Sequence, residues 1–97
     1  MNSNRPSLNH ERADLEVAPT VAALQQRAEE IRRQELDKTL RRLKDLSPED
    51  AQRLDALTQA IIKKLLHRPI ANLKARRSPS HLQLARELFA LDEPPSP

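Results

Sequence analysis

Residues 47–69 read SPEDAQRLDALTQAIIKKLLHRP, and this stretch decides the fold. Ser47 predicts an N-cap, Pro48 suits the first helical position, and the two acidic residues that follow place negative charge at the positive end of a helix. We therefore predict a helix over residues 48–67. Pro69 is expected to end it, because a residue that precedes proline disfavours the helical backbone.

The apolar side of this helix is wide. At about 100° per residue, it covers about half of the helix circumference. A surface helix ordinarily needs an apolar stripe of about 100°, so a single hairpin partner leaves part of this side uncovered. An apolar patch of this kind predicts oligomerisation, because it would otherwise promote aggregation. The residues on this side are Ala51, Leu54, Leu57, Thr58, Ile61, Ile62, Leu65 and Leu66.

A first long helix is expected before this stretch, from about Pro19 to Leu46. The short connection between the two helices predicts that they lie antiparallel. The apolar positions of the first helix change direction at the step from Ile31 to Leu36, which indicates two neighbours rather than one. These positions are Val21, Leu24, Ala28, Ile31, Leu36, Leu40 and Leu43.

Glu35 extends the first apolar stripe and has two interpretations. It is either a boundary residue whose carboxylate reaches water, or a buried or interfacial carboxylate that pairs with an arginine and fixes the register of the helices. Arg32 and Arg33 are the nearby candidates for that pairing.

A last helix is expected from about Pro79 to Leu91, with Ser78 or Ser80 as its N-cap. One face of it carries apolar residues at helical spacing: Leu82, Ala85, Leu88 and Phe89. Residues 70–75 favour a short helical turn before it.

The domain boundaries follow from composition. Residues 1–16 carry few apolar groups, so we expect them to be poorly ordered or weakly helical. Residues 17–91 form the helical domain. Residues 92–97 include three prolines and are expected to be a disordered tail.

The 97-residue chain contains no cysteine and no glycine, and Phe89 is its only Phe, Tyr or Trp. Without cysteine it has no disulfide, thiolate metal site or cysteine nucleophile. Without glycine, a β-rich fold and a phosphate- or dinucleotide-binding loop are disfavoured. The remaining composition favours helices. We expect an all-α fold: an antiparallel helical hairpin plus a shorter C-terminal helix, dimerising as a helical bundle.

The sequence has no apolar run near the length of a membrane span and no secretory signal. We therefore expect a soluble, cytoplasmic protein without a membrane partner. Its formal net charge of +3 is modest, so it allows an acidic partner without requiring one.

The histidines and carboxylates indicate no catalytic or metal site. His10, His67 and His81 lack the spacing of a helical metal site, and His67 is expected to end its helix and contact the last carbonyls. The carboxylates alternate with basic residues, and Glu29 with Arg33 is an i,i+4 pair in the favourable order. A solvated helix face explains these carboxylates without catalysis.

One part of the sequence concentrates positive charge. The segment from Lys63 to Arg77 contains no acidic residue. It predicts either contact with a nucleic-acid backbone or, for the lysines near the end of the helix, stabilisation of that helix end. No aromatic residue is present there to stack bases. The basic residues are Lys63, Lys64, Arg68, Lys74, Arg76 and Arg77.

Four segments together resemble a known family. They are VAPTV at 17–21, IRRQEL at 31–36, KKLLHRP at 63–69 and ARELFAL at 85–91. In this order and spacing they resemble the C-terminal dimerisation domain of glutamyl-tRNA reductase, although members of that family often have glycine where Ala90 stands. The resemblance covers roughly residues 15–92.

The resemblance implies a mechanism for the whole enzyme. A catalytic cysteine attacks the aminoacyl ester of glutamyl-tRNA, and NADPH in a Rossmann domain reduces the thioester to glutamate-1-semialdehyde, in tetrapyrrole biosynthesis. This sequence has neither the cysteine nor the glycines for those parts. We therefore expect no catalytic, cofactor-binding or metal-binding residue in this chain, which would be an excised or truncated domain or a stand-alone remnant.

The leading hypothesis is a homodimerisation module. The alternatives are an accessory domain that contacts tRNA through the basic segment, and a helical adaptor for another protein. The expected interface and core residues are Leu24, Ile31, Leu36, Leu40, Leu54, Leu57, Ile61, Ile62, Leu65 and Leu66.

Overall fold

The computed structural model describes the backbone of residues 5–92 and the side chains of residues 17–92. In the described backbone the chain forms three helices and no strand: α1 (Arg5–Arg42), α2 (Pro48–Ala75) and α3 (Pro79–Leu88). Helices α1 and α2 form an antiparallel hairpin, and α3 packs back against α1. The predicted all-α fold, a helical hairpin followed by a shorter helix, is confirmed.

Helix α1 is longer than predicted at its N-terminus. It begins at Arg5 rather than Pro19, and it ends at Arg42 rather than Leu46. Pro19 therefore lies inside the helix, where it removes one backbone hydrogen bond. Val17 and Val21 are both buried on either side of Pro19, so packing of the continuous helix offsets that loss.

Pro69 does not end α2, and that prediction was wrong. The helix continues to Ala75, so residues 70–75 extend it and His67 is not at its C-terminus. Leu73 is 3% exposed in the core, and Ile70 packs against the core cluster. The packing of these two side chains depends on the helix continuing past Pro69, and a fully buried leucine such as Leu73 is worth about 1.5–3 kcal/mol.

The serine caps match the sequence pattern. The Ser47 hydroxyl accepts a hydrogen bond from the Asp50 backbone N–H (3.1 Å), and Ser78 does the same for His81 (3.2 Å). Each serine is followed by proline at the first helical position. These contacts satisfy backbone donors that have no partner within the helix.

The end of α3 differs from the prediction. The helix ends at Leu88 rather than Leu91, and the chain turns at Ala90, whose φ is 52°. The N–H of Ala90 donates to the carbonyl of Glu87 (3.2 Å), and the N–H of Leu91 donates to that of Arg86 (2.9 Å). This pair of bonds is the Schellman pattern that closes helix C-termini. Of the predicted disordered tail, residues 93–97 lie outside the described residues.

A small apolar core joins the three helices. It draws on the first turns after residue 16 of α1, the second half of α2 and the middle of α3. Thr20 is buried with them, and its hydroxyl has no hydrogen-bond partner among the described residues. The buried apolar residues are Val17, Val21, Leu24, Leu66, Leu73, Leu82 and Ala85.

The distal end of the hairpin extends beyond this core. The side chains of α1 after residue 32 and those of α2 before residue 66 are half-buried or exposed. Among the described residues, no helix combines the length and the hydropathy that crossing a membrane requires.

Candidate interaction surfaces of the helical hairpin

One charged side chain of α1 points into the hairpin. Arg32 is 7% exposed, and its guanidinium donates to Glu29 on the same helix through Nε (2.7 Å) and Nη2 (2.5 Å). Its Nη1 donates across to α2, to the carboxylate of Asp55 (2.6 Å) and the hydroxyl of Thr58 (3.3 Å). The buried charge is therefore neutralised by carboxylates from both helices, which ties α1 to α2 at one register.

The same hydrogen bonds shift two pKa values. Those from Arg32 and then Arg33 lower the pKa of Glu29 from 4.5 to about 2. Arg33 contributes through its Nε, which lies 2.9 Å from Glu29 Oε2. Hydrogen bonds to Glu29 and then Asp55 raise the pKa of Arg32 above its usual value. Glu29 and Arg32 are thus both charged at neutral pH.

The predicted Glu29–Arg33 pair forms. The buried charge of the hairpin is that of Arg32, and neither interpretation of Glu35 includes it. Glu35 is exposed, and its Oε2 lies 3.5 Å from Lys38 Nζ. This agrees with the interpretation of Glu35 as a boundary residue whose carboxylate reaches water. The apolar stripe of α1 continues from Ala28 to Arg32 rather than to Ile31, which is 53% exposed. The i,i+3 spacing of Glu29 and Arg32 was the available signal, but Asp55 could not be paired with Arg32 from sequence alone.

A groove of about 960 Å³ lies beside this cluster between α1 and α2. Its carboxylates, Glu29 and Asp55, both accept hydrogen bonds from Arg32, so they belong to one ion-pair network. Gln59 also donates to Asp55 (2.8 Å). Among the described residues, no group of three His, Asp or Glu side chains is arranged to hold a metal ion.

The predicted interface and core residues divide into three groups. Leu24 and Leu66 are buried in the core. Four are half-buried along the hairpin, and four are more than half exposed. The half-buried residues are Leu36, Leu40, Leu54 and Ile62. The exposed residues are Ile31 (53%), Leu57 (55%), Ile61 (54%) and Leu65 (70%).

Three of the exposed residues form a row on α2, which we call the apolar row: Leu57, Ile61 and Leu65. They are four residues apart, so they follow one another along one face of the helix. That face differs from the face that carries Ile62, Leu66 and the contacts to α1. In a single chain the apolar row is therefore covered by neither α1 nor α3.

The basic segment does not form one continuous surface. Its side chains are all exposed, but Lys63 lines the groove beside Arg32 whereas Lys74 and Arg77 border Val17 and Val21 of α1. Lys64 and Arg68 lie on the side of the apolar row instead, within about 60° of Leu57 and Ile61 at 100° per residue. The structure thus separates the predicted group over more than one side of α2.

A helical hairpin with a small core and an uncovered apolar row places the chain in the class of small all-α domains. Residues 4–91 match the family described as glutamyl-tRNA(Glu) reductase, dimerisation domain. Because this match covers most of the chain, the chain belongs to the dimerisation-domain family of glutamyl-tRNA reductase.

Curated relatives agree with this assignment. The glutamyl-tRNA reductase of Geobacter sulfurreducens is 48% identical over 90 residues, which cover 88% of this chain and 21% of the relative. That of Geotalea daltonii is 46% identical over 87 residues, which cover 86% of this chain and 20% of the relative. That of Geobacter metallireducens is 48% identical over 83 residues, which cover 81% of this chain and 19% of the relative. The chain therefore spans about a fifth of the length of these relatives. No solved structure matches it.

Proposed function

We propose that this chain is a homodimerisation module, in which two copies associate through the uncovered side of α2. The observation that carries this proposal is the apolar row. Its three large aliphatic side chains follow one another on one face of the helix, and each is more than half exposed. Burial of such side chains is worth about 1.5–3 kcal/mol each. The family description supports the same function.

In the whole enzyme, we propose that this association serves the NADPH-dependent reduction of glutamyl-tRNA to glutamate-1-semialdehyde. The chain itself would contribute association and no chemistry. Its residues do not fit NADPH, because it has no glycine for a dinucleotide-binding loop and the described backbone has no strand. The cysteine nucleophile of the family is also not among its residues.

The substitution Leu65→Asp tests homodimerisation. Leu65 is 70% exposed in the single chain, so an aspartate there need not disturb the core, but in a dimer it would replace a leucine of the apolar row by a charge in each copy. We expect the dimer dissociation constant, measured by sedimentation equilibrium, to rise at least about a hundredfold.

The matched control is Ala56→Asp. Ala56 is also exposed on α2, about 180° from Leu65 at 100° per residue, and it receives the same charge. It should dimerise like the unmodified chain. A folded, strictly monomeric unmodified chain at micromolar concentration would contradict homodimerisation, and a stoichiometric partner of another kind bound in preference to self would favour the helical adaptor.

A second candidate function is contact with tRNA through the basic segment. The exposure of all six of its side chains favours this candidate. Binding of tRNA should then weaken linearly on a log–log salt plot, because each phosphate contact releases counterions. Absence of detectable binding at low salt would exclude it.

A further inference from the structure

The exposed face of α2 carries opposite charges at its two ends. Asp50 lies in the first turn, Arg68 lies about five turns further along the same face, and Leu57 and Ile61 lie between them. At 100° per residue these four side chains fall within about 40° of one another. The face therefore carries an acidic residue at its start, two apolar residues in the middle and two basic residues at its end, where Lys64 precedes Arg68.

Apart from Lys64, this order is symmetric about residue 59. Asp50 precedes Leu57 by the same seven residues by which Arg68 follows Ile61. If a second copy of α2 lies antiparallel on this face, Asp50 of one copy stands opposite Arg68 of the other, and Leu57 stands opposite Ile61. A two-fold axis then repeats each contact, as a closed dimer requires.

The charges on this face are available to a second copy. Among the described residues, neither Lys64 nor Arg68 makes an ion pair within the chain. The side chain of Asp50 is 51% exposed, and its ion pair with Arg53 (3.1 Å) is an exposed i,i+3 contact. Such pairs are worth little, so Asp50 can exchange that partner for another guanidinium.

We propose that two copies of this chain pair through antiparallel α2 helices, in the register that places Asp50 against Arg68 and Leu57 against Ile61. This proposal rests on the proposed homodimerisation and adds the interface and its orientation. A parallel pair on the same face would place Asp50 against Asp50 and Arg68 against Arg68, which like-charge repulsion disfavours.

Cysteine cross-linking tests the orientation, and the chain has no cysteine of its own to interfere. Asp50→Cys and Arg68→Cys are made singly and together in the full chain. Residues 50 and 68 are separated by about 27 Å along one helix, so no disulfide can close within a chain. Mild oxidation should cross-link the double variant into covalent dimers, and so should an equimolar mixture of the two single variants.

Neither single variant should cross-link by itself. Cross-linking of each single variant with its own copy would show a parallel pair and overturn the proposal. A double variant that is dimeric by sedimentation but forms no disulfide would also overturn it, while leaving homodimerisation intact. A monomeric unmodified chain would remove both proposals at once.

A charge exchange provides an independent readout. Arg68→Asp alone places two acidic residues opposite each other twice per dimer, and we expect the dissociation constant to rise about tenfold. Adding Asp50→Arg in the same chain restores opposite charges and should return the constant to within about threefold of the original. Arg41→Asp on α1, an exposed residue outside this face, is the control for net charge. Failure of the double exchange to restore affinity would contradict the register.

Discussion

Arg32 is buried with its charge, and Glu29 and Asp55 on two different helices satisfy it. Removing either carboxylate would leave the buried guanidinium with less compensation for its charge. The pairing therefore penalises any slip of α1 along α2. It was not predictable from sequence, since the i,i+3 pattern of Glu29 and Arg32 is common on solvated helices and the position of Asp55 depends on the register itself.

Glu29 gives the network a specific pH dependence. Its pKa is lowered from 4.5 to about 2 by hydrogen bonds from Arg32 and Arg33, so the charged carboxylate is stabilised in the folded state. A lowered pKa contributes stability that is fully present above pH 4.5 and is lost as the pH falls toward 2. We expect the chain to be more stable than its Glu29→Gln variant at pH 6, with the difference shrinking between pH 4.5 and 2.

Denaturant unfolding of both proteins at several pH values within that window measures this difference. Glu35→Gln is the matched control, because Glu35 is an exposed carboxylate on the same helix and its removal changes the formal charge equally. A difference between the chain and Glu29→Gln that stays constant from pH 6 to pH 2 would contradict the assigned role of Glu29.

At the scale of the helices, the starts of α2 and α3 were predictable, whereas the start of α1 and the ends of all three helices were not. Ser47 and Ser78 cap α2 and α3 through local contacts, so their sequence pattern contains the whole signal. The sequence pattern indicates a first helical position at Pro19 and a helix end at Pro69, and inside a helix each proline removes one backbone hydrogen bond. Whether that loss ends a helix depends on packing elsewhere, and Leu73 beyond Pro69 is buried against residues that are distant in sequence.

The C-terminus of α3 supplies a prediction about backbone conformation. Ala90 has a φ of 52°, in the left-handed region that costs a non-glycine residue about 1–2 kcal/mol. Arg27 Nη2 also donates to the Ala90 carbonyl (2.9 Å), which holds this turn against α1. Because glycine adopts this conformation without the steric cost, Ala90→Gly should raise the free energy of unfolding by about 0.5–1 kcal/mol.

The comparison for Ala90→Gly is Ala60→Gly, at an exposed position inside α2. There the same substitution should lower the free energy of unfolding by about 1 kcal/mol, because glycine is a poor helix former. Chemical denaturation of both variants gives the two signs. If Ala90→Gly destabilised the chain as Ala60→Gly does, the turn at Ala90 would not have the left-handed conformation.

At the scale of the whole molecule, the shape limits how much core one chain can bury. Its radius of gyration is 18.1 Å and it extends over 69 × 25 × 18 Å. A compact domain of this length would have a radius of gyration of about 12–13 Å. The wide apolar side of α2 was predictable from periodicity. Which part of it stays uncovered was not, because that depends on where α1 and α3 cross the helix.

An elongated chain with a small core and an uncovered apolar row should gain stability from its own concentration. If folding and dimerisation are coupled, mass action raises the Tm as the protein concentration increases. With an unfolding enthalpy of about 0.7 kcal/mol per residue in each of two chains, the Tm should rise by about 4 °C for each tenfold increase in concentration. Circular dichroism melting over a hundredfold range of concentration measures this dependence of the Tm on concentration.

Leu65→Asp should melt at a lower temperature, with a Tm that does not depend on concentration. Ala56→Asp should keep the concentration dependence of the unmodified chain. A Tm independent of concentration in the unmodified chain would mean that the fold does not depend on a second copy.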